Sequence, residues 1–198
     1  MYSHSSITQD LGARLAEFIG VTDKDTGAVR IINFNGQALD KFVVDGSSVE
    51  SLTQAVQDYK DGKLKAYYKS EPVPETNSEP VKVVVGDTFE EMVLNSDKFV
   101  LLEAYAPWCG HCQKLEPIYK ELAEKLQSVD NVVIAKIDAT ANEHSSLNIE
   151  GFPTLKLYKP GQSNEPVDYQ GDRTLDDLMQ FLEKEMGTTL TETKSEEL

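Results

Sequence analysis

One passage in the second half of the chain restricts its fold more than any other. Phe99 to Ala106 is apolar on both faces, with Glu103 set into it, and runs without a break into Pro107-Trp108-Cys109-Gly110-His111-Cys112. A strand of this kind belongs at the centre of a sheet covered by helices on both sides. Beyond it Leu115, Ile118, Leu122 and Leu126 recur at helical spacing. A long helix is therefore expected from about Cys109, kinked near Pro117. The handover from buried strand to helix puts both cysteines at the helix start.

The elements around this passage follow the same periodicities. Val81 to Val85 reads as a short strand, and a helix opens behind Asp87 as its cap. Val132 to Ile137 reads as a strand, the stretch around Glu143 to Leu147 as a short helix, and Thr154 to Tyr158 as a strand entered through Gly151-Phe152-Pro153. Val167 to Tyr169 is a shorter strand, and Leu175, Leu178, Phe181 and Leu182 line one face of a closing helix. The order βαβαβαββα implies an α/β fold with a mixed sheet between helices.

Upstream, Leu11, Leu15, Phe18 and Ile19 suggest a helix, Val29 to Asn33 and Phe42 to Val44 two strands, and Val49, Leu52, Val56 and Tyr59 a helix behind Ser47 and Ser48. This αββα order repeats the second half of the later domain, with Gly27 falling on Pro153 and Asp45-Gly46 on Gln170-Gly171. Glu71 to Pro80 is polar and proline-rich, as a semi-extended linker would be. The expected organisation is a partial domain over 1–70, a linker over 71–80, a complete α/β domain over 81–187 and a disordered acidic tail over 188–198. A half sheet leaves an unpaired edge and an uncovered apolar face, so the first region is expected to be poorly stable or a piece of a longer chain.

The net charge is −15 over 198 residues, which argues against nucleic acid, whose phosphates need a basic face. No apolar run approaches the roughly 20 residues that span a bilayer, so no membrane association is expected. Met1 to Asp10 is polar, without a hydrophobic signal core.

Only two cysteines are present, three positions apart, so their role is local and no disulfide framework replaces the core. A structural zinc site needs four ligands, and neither a second cysteine pair nor suitably spaced histidines exist, so no metal is expected. Haem attachment needs a histidine after the second cysteine, where this chain has Gln113. At a helix N-terminus, free N–H groups and the macrodipole favour an anion, which makes Cys109 the expected nucleophile with a lowered pKa. Cys112, one turn further in, is placed to resolve a mixed disulfide and close a redox disulfide with Cys109. A charged His111 between them would stabilise the thiolate and make the pair a better oxidant. His4 and His144 are read as ordinary histidines.

Three passages carry a resemblance. Ala104 to Cys112, Ala135 to Ala141 and Gly151 to Lys156 resemble, in order, the hallmarks of the catalytic thioredoxin-like domain of the protein disulfide isomerase family. Coverage runs from about Val81 to Met186, and the region before the linker is similar to the second half of the non-catalytic domain that precedes the catalytic one. The resemblance implies a thioredoxin-like fold preceded by a partial one, no cofactor, and thiol–disulfide exchange with unfolded or misfolded cysteine-containing proteins. It implies a thiol oxidase or glutathione as redox partner.

Residue by residue, the likeness makes Cys109, Gly110, His111 and Cys112 the catalytic motif. Glu103 matches a buried carboxylate that relays the resolving cysteine's proton, and Lys136 its partner on the adjacent strand. Trp108, Phe152 and Pro153 fall to substrate binding, with Pro153 in the cis form and its loop offering backbone groups to an extended chain. Arg173 matches a mobile arginine that lowers the resolving cysteine's pKa. The upstream half-domain departs from the pattern, since it has Gly27 where Pro153 stands and holds no cysteine.

Ser195-Glu196-Glu197-Leu198 resembles a variant of the carboxy-terminal retrieval signal, which implies a retrieval receptor and residence in the lumen of the endoplasmic reticulum. Two other readings stay open at this level. A thioredoxin-like cytosolic reductant would have a potential near −270 mV, against about −180 mV for an isomerase. A peptide-binding chaperone with an incidental dithiol would hold clients after loss of both thiols.

Overall fold

The chain divides into two units, residues 1–69 and 70–198, and the computed structural model describes residues 10–21, 29–35, 38–162 and 165–190. His4, Gly27 and the final Ser195 to Leu198 lie outside the described residues. In the first unit α1 (Asp10–Phe18) precedes a hairpin of β1 (Val29–Asn35) and β2 (Ala38–Val44), and α2 (Val49–Lys60) follows. The hairpin is antiparallel, with Val29 opposite Val44. Ser48 starts α2 by a reciprocal cap: its Oγ accepts the Ser51 N–H at 3.0 Å, and its own N–H donates to Ser51 Oγ at 3.1 Å.

Among its described residues this unit buries little. Ala16 and Val44 are covered, but Phe18, Val43, Val49 and Val56 are exposed, and no residue of α2 is fully buried. Lys41 is buried, its ammonium donating to the Phe18 carbonyl at 3.2 Å and lying 6.0 Å from the ring centres of Phe18 and Tyr67. Gly20 has φ of +67° and sits so close to Tyr67 that a Cβ there would stand 2.2 Å from the ring, so only glycine fits.

The second unit opens with β3 (Lys82–Val83) and α3 (Gly86–Phe89), which continues as a π-helical turn over Glu90–Leu94. Val85 rather than Asp87 holds the cap position, because the Thr88 hydroxyl accepts the Val85 N–H at 3.0 Å and starts the turn earlier. Then come β4 (Phe99–Tyr105), α4 (Gly110–Lys125), β5 (Val132–Asp138), β6 (Thr154–Tyr158), β7 (Val167–Asp168) and α5 (Leu175–Met186). The sheet order is β3-β5-β4-β6-β7, with β3, β5 and β4 parallel to one another, β6 antiparallel to β4, and β7 antiparallel to β6. The short helix expected around Glu143 to Leu147 does not form. There the side chain of His144 accepts the Ser146 N–H at 3.2 Å and Asn142 Nδ2 donates to the Asp138 carbonyl at 3.0 Å, so polar side chains give the backbone turn partners instead.

Because successive strand residues face opposite sides, β4 feeds two cores. Leu101 packs with Leu115, Tyr119 and Leu122 of α4 and Leu178 and Leu182 of α5. Val100, Leu102 and Ala104 pack on the other face with Phe89 and Val93. Glu103 and Lys136, in register across β4 and β5, fall on the α4 side by the same alternation.

Two stretches read as loose are held to this unit. Asn142 is buried; its Oδ1 accepts the Glu71 N–H at 2.9 Å, and its Nδ2 donates to Glu71 Oε2 at 2.8 Å. Asn77 exchanges two hydrogen bonds with the Val83 backbone, at 2.8 and 2.9 Å. The proline-rich stretch is therefore pinned by asparagine side chains. Past α5, Gly187 takes a left-handed conformation (φ +67°) that ends the helix. Leu190, read as part of the disordered tail over 188–198, is buried with its N–H on Glu183 Oε1 at 2.8 Å.

Burial of this unequal kind sets unequal protection against opening. In native-state hydrogen exchange, β4, β5 and β6 are expected to be protected by about 10-fold or more over β1, β2 and α2, which converts to about 1.4 kcal/mol. Equal protection in the two units would contradict this reading of their cores.

Candidate active site

Cys109 caps α4 with its own sulfur. It holds extended backbone angles (φ −79°, ψ 111°), and its Sγ accepts the Cys112 N–H at 3.4 Å. The turn that delivers it is closed by the Cys109 N–H on the Ala106 carbonyl at 3.0 Å, at the end of β4. The buried strand thus sets where the sulfur lies, and the helix supplies the field around it.

Both cysteines are free thiols. Cys109 is 7% exposed, less open than a nucleophile at a helix start was expected to be, because Ala106, Tyr105 and Phe152 pack beside it. It nevertheless lies in the surface layer, where hydrogen bonding outweighs desolvation. The Cys112 thiol and the N–H groups of Cys112 and His111 hold the Cys109 thiol below its usual pKa, and the Arg173 guanidinium adds to this. Cys112 moves the opposite way. Burial first, then the hydrogen bond to Cys109 and the charges of Cys109 and Glu103, push its thiol up to about 11. Ionisation is favoured at one sulfur and opposed at the other.

Around the pair, Trp108 is 73% exposed and meets Phe152 edge-on, ring centres 5.8 Å apart. The Phe152–Pro153 peptide is cis. Thr154 Oγ1 donates to the Gly151 carbonyl at 2.7 Å and Arg173 Nη2 to the Pro153 carbonyl at 3.1 Å, so two carbonyls of this loop are already engaged. Arg173 thereby links the loop to the start of α5 while bearing on both Cys109 and Glu103. A cleft of about 430 Å³ flanks the loop, lined by Asn148, Phe152, Pro153, Tyr169 and Arg173 among others. Gly110 and His111 are exposed on the first turn of α4, and a Cβ at Gly110 would meet nothing within 4 Å.

Beneath the helix, Glu103 is 3% exposed. Burial pushes its carboxyl up to about 7, and Glu116 adds to the rise, while Lys136 and Arg173 act against it. Lys136 stands opposite Glu103 in register, yet its ammonium pairs with Glu116 at 3.5 Å and lies 5.5 Å from the Tyr105 ring centre. The expected partner is a neighbour, and the ion pair goes to an exposed carboxylate whose charge needs no desolvation.

Tyr119 and Glu116 are the residues that sequence reasoning passed over. The Tyr119 hydroxyl lies 2.7 Å from the Leu101 carbonyl and 3.0 Å from that of Ala135, tying α4 across β4 and β5. Its place one turn after Leu115 was the available signal. Among the described residues no group of three or more histidine, cysteine and acidic side chains could hold a metal ion.

Comparison with known proteins gives this site a context. The chain is 42% identical over 179 residues to Protein disulfide isomerase-like 1-4 of Oryza sativa subsp. japonica, covering 89% of this chain and 31% of that protein. It is 46% identical over 185 residues to Protein disulfide-isomerase A3 of Gallus gallus, covering 90% of this chain and 36% of that protein. The chain therefore spans about a third of the length of these relatives. The solution structure of the first thioredoxin domain of mouse Protein disulfide-isomerase A4 aligns at 33% identity with a TM-score of 0.49, over 62% of this chain and 86% of that one. The Thioredoxin family model matches residues 80–184, from before β3 nearly to the end of α5. That stretch contains the capped dithiol, the cis-proline loop and the buried carboxyl, and by it the chain belongs to the thioredoxin family.

Proposed function

We propose that the chain carries the thiol–disulfide oxidoreductase and isomerase activity of a protein disulfide isomerase, acting on cysteine pairs of other proteins through a mixed disulfide on Cys109. The observation that carries this reading is the placement of two free thiols at one helix start, with Cys109 Sγ capping α4 through the Cys112 N–H and the cis Phe152–Pro153 loop beside it. In the reductive direction, the Cys109 thiolate attacks one sulfur of a substrate disulfide. The substrate S–S bond breaks, its other sulfur leaves as a thiolate, and a Cys109–substrate disulfide forms. Cys112 then loses its proton, attacks Cys109 Sγ and expels the second substrate thiolate. The substrate gains two electrons and the pair closes as a disulfide; oxidation of a substrate dithiol runs the same steps backwards.

The two steps need Cys112 inert first and reactive later. Two of the influences that raise its pKa, the hydrogen bond to Cys109 and the Cys109 charge, vanish once the Cys109 sulfur is bonded to substrate. Glu103, placed near 7, is the group proposed to accept the Cys112 proton. By becoming neutral it also removes its own opposition to the Cys112 thiolate. His111, exposed beside the nucleophile, is proposed to favour the thiolate when charged. Arg173, expected to act on the resolving Cys112, bears instead on Cys109 and Glu103, and is proposed to favour their charged forms.

Trp108, Phe152 and the Pro153 loop are the surface proposed to receive an extended, cysteine-containing chain, with the open space over Gly110 leaving room for it. Substrates of this kind favour an oxidising compartment, and we propose the lumen of the endoplasmic reticulum. A thiol oxidase or glutathione is the proposed recharging partner. We further propose that residues 1–70 are a partial non-catalytic domain and 81–187 the catalytic one.

Cys109→Ala is expected to abolish insulin-disulfide reduction, and Cys112→Ala to accumulate a covalent enzyme–substrate adduct seen on non-reducing gels. Full turnover by the Cys109 variant would refute the mechanism. A second expectation comes from Glu103. Its pKa is raised from 4.5 in the unfolded chain to about 7 in the folded one, so between these pH values the folded state holds the proton that the unfolded state has lost. Stability must then fall as pH rises through this window, by roughly 3 kcal/mol in all. Urea unfolding should show that Glu103→Gln flattens this fall and is the more stable form at pH 8; an unchanged slope would place Glu103 in contact with water.

A further inference from the structure

Lys136 is split between two carboxylates. Its backbone stands opposite Glu103 on the neighbouring parallel strand, on the same face of the sheet, while its ammonium lies 3.5 Å from Glu116 Oε1. Among the described residues, no hydrogen bond or ion pair reaches the Glu103 carboxyl. Between them is a cavity of about 220 Å³ lined by Glu103, Glu116, Tyr119, Lys120 and Lys136 and bordered by Glu79.

We propose that Glu116 is a positioning residue for proton transfer at the dithiol: it holds the Lys136 ammonium away from Glu103 while that carboxyl is neutral, and releases it when the carboxyl ionises. This rests on the dithiol reading above and adds to it the control of its buried base.

Three observations support the exchange. The Glu116 side chain is 67% exposed, and an ion pair to such a carboxylate is weak, so the lysine is held without being locked. An ionised carboxylate at the buried Glu103 position would attract the same ammonium more strongly, because little water screens it there. The cavity gives the flexible lysine stem room to turn without displacing packed atoms.

The cycle balances. When Cys112 resolves a mixed disulfide, its S–H bond breaks and its proton forms an O–H bond on Glu103, so Lys136 returns to Glu116. When Glu103 later gives the proton to solvent through the cavity, Lys136 turns to the new charge. Glu116 and Lys136 gain and lose no protons.

Other charges face Glu103 as well. From α4 these are Cys112, Glu116 and Tyr119, from β5 Lys136, from its own strand Tyr105, and from before α5 Arg173. Lys120 and Glu79 face the cavity. Of these, Glu116 is the one whose neutralisation both removes a negative charge and frees the ammonium.

The test is a carbon-detected NMR titration of the Glu103 carboxyl in the reduced full chain, with Glu103→Gln identifying the signal. Glu116→Gln is expected to lower the midpoint by roughly 0.5 pH units or more. Resolution of the mixed disulfide on the acid limb should quicken by about threefold at fixed pH, the same change expressed as a rate. In a Lys136→Gln background the effect of Glu116→Gln should shrink to less than about half. A midpoint that stays within about 0.2 pH units, or a shift of equal size without the lysine, would overturn the proposal. The titration needs no turnover, so an inactive dithiol beside a shifted Glu103 would sink the enzyme reading, and with it the role in proton transfer, while an active dithiol beside an unshifted Glu103 would sink this proposal alone.

Discussion

A sulfur atom standing as the N-cap of α4 is the interaction on which the rest of the site depends. The first turn of any helix has N–H groups without partners, and here the Cys109 sulfur accepts the Cys112 N–H that a serine or aspartate would otherwise take. An anion in that place gains both the hydrogen bonds and the positive end of the helix dipole. The sulfur is held there by the end of β4, which is buried on both faces and paired on both sides. Redox tuning and sheet packing are therefore consequences of one strand-to-helix junction.

The same junction makes the two thiols unequal. Cys109 lies at the rim of the helix and Cys112 beneath it, so hydrogen bonding dominates the first and burial the second. A dithiol with equal sulfurs would have no reason to start a reaction at one and finish it at the other. Glu103 extends this asymmetry inward, since a carboxyl with little water around it stays neutral at a pH where a surface carboxyl is ionised. Its position on the α4 face of β4 follows from strand alternation alone, but its protonation depends on what surrounds it.

The two units obey the same periodicity with different results. The helices and strands of the first unit appear where apolar spacing places them, yet among the described residues its sheet has two strands and α2 buries none of its residues fully. Among the described residues of the second unit, five strands and the flanking helices enclose a core on each face of the sheet. Periodicity reports which face of an element is apolar, and it cannot report how much surface exists to cover that face.

Much of the architecture was legible because it is local chemistry. The doubly apolar β4, the helix from Cys109, Pro153 at the entry to β6 and the closing α5 follow from residue type and spacing. What failed locally failed for an identifiable reason: around His144 and Asn142, side-chain acceptors and donors took the backbone partners that a short helix would have used. Pro80 and its neighbours read as a linker because proline and polar composition carry no record of Asn142, far along the chain, that binds Glu71, or of the Val83 backbone that Asn77 binds. The sequence by itself determined that two cysteines sit at the head of a helix following a buried strand, since that is a matter of order along the chain. Only the tertiary structure decided that Lys136 pairs with Glu116, that Arg173 reaches the Pro153 carbonyl, and that Cys109 is mostly covered. Those depend on distances between residues far apart in sequence and on how much water is left between them.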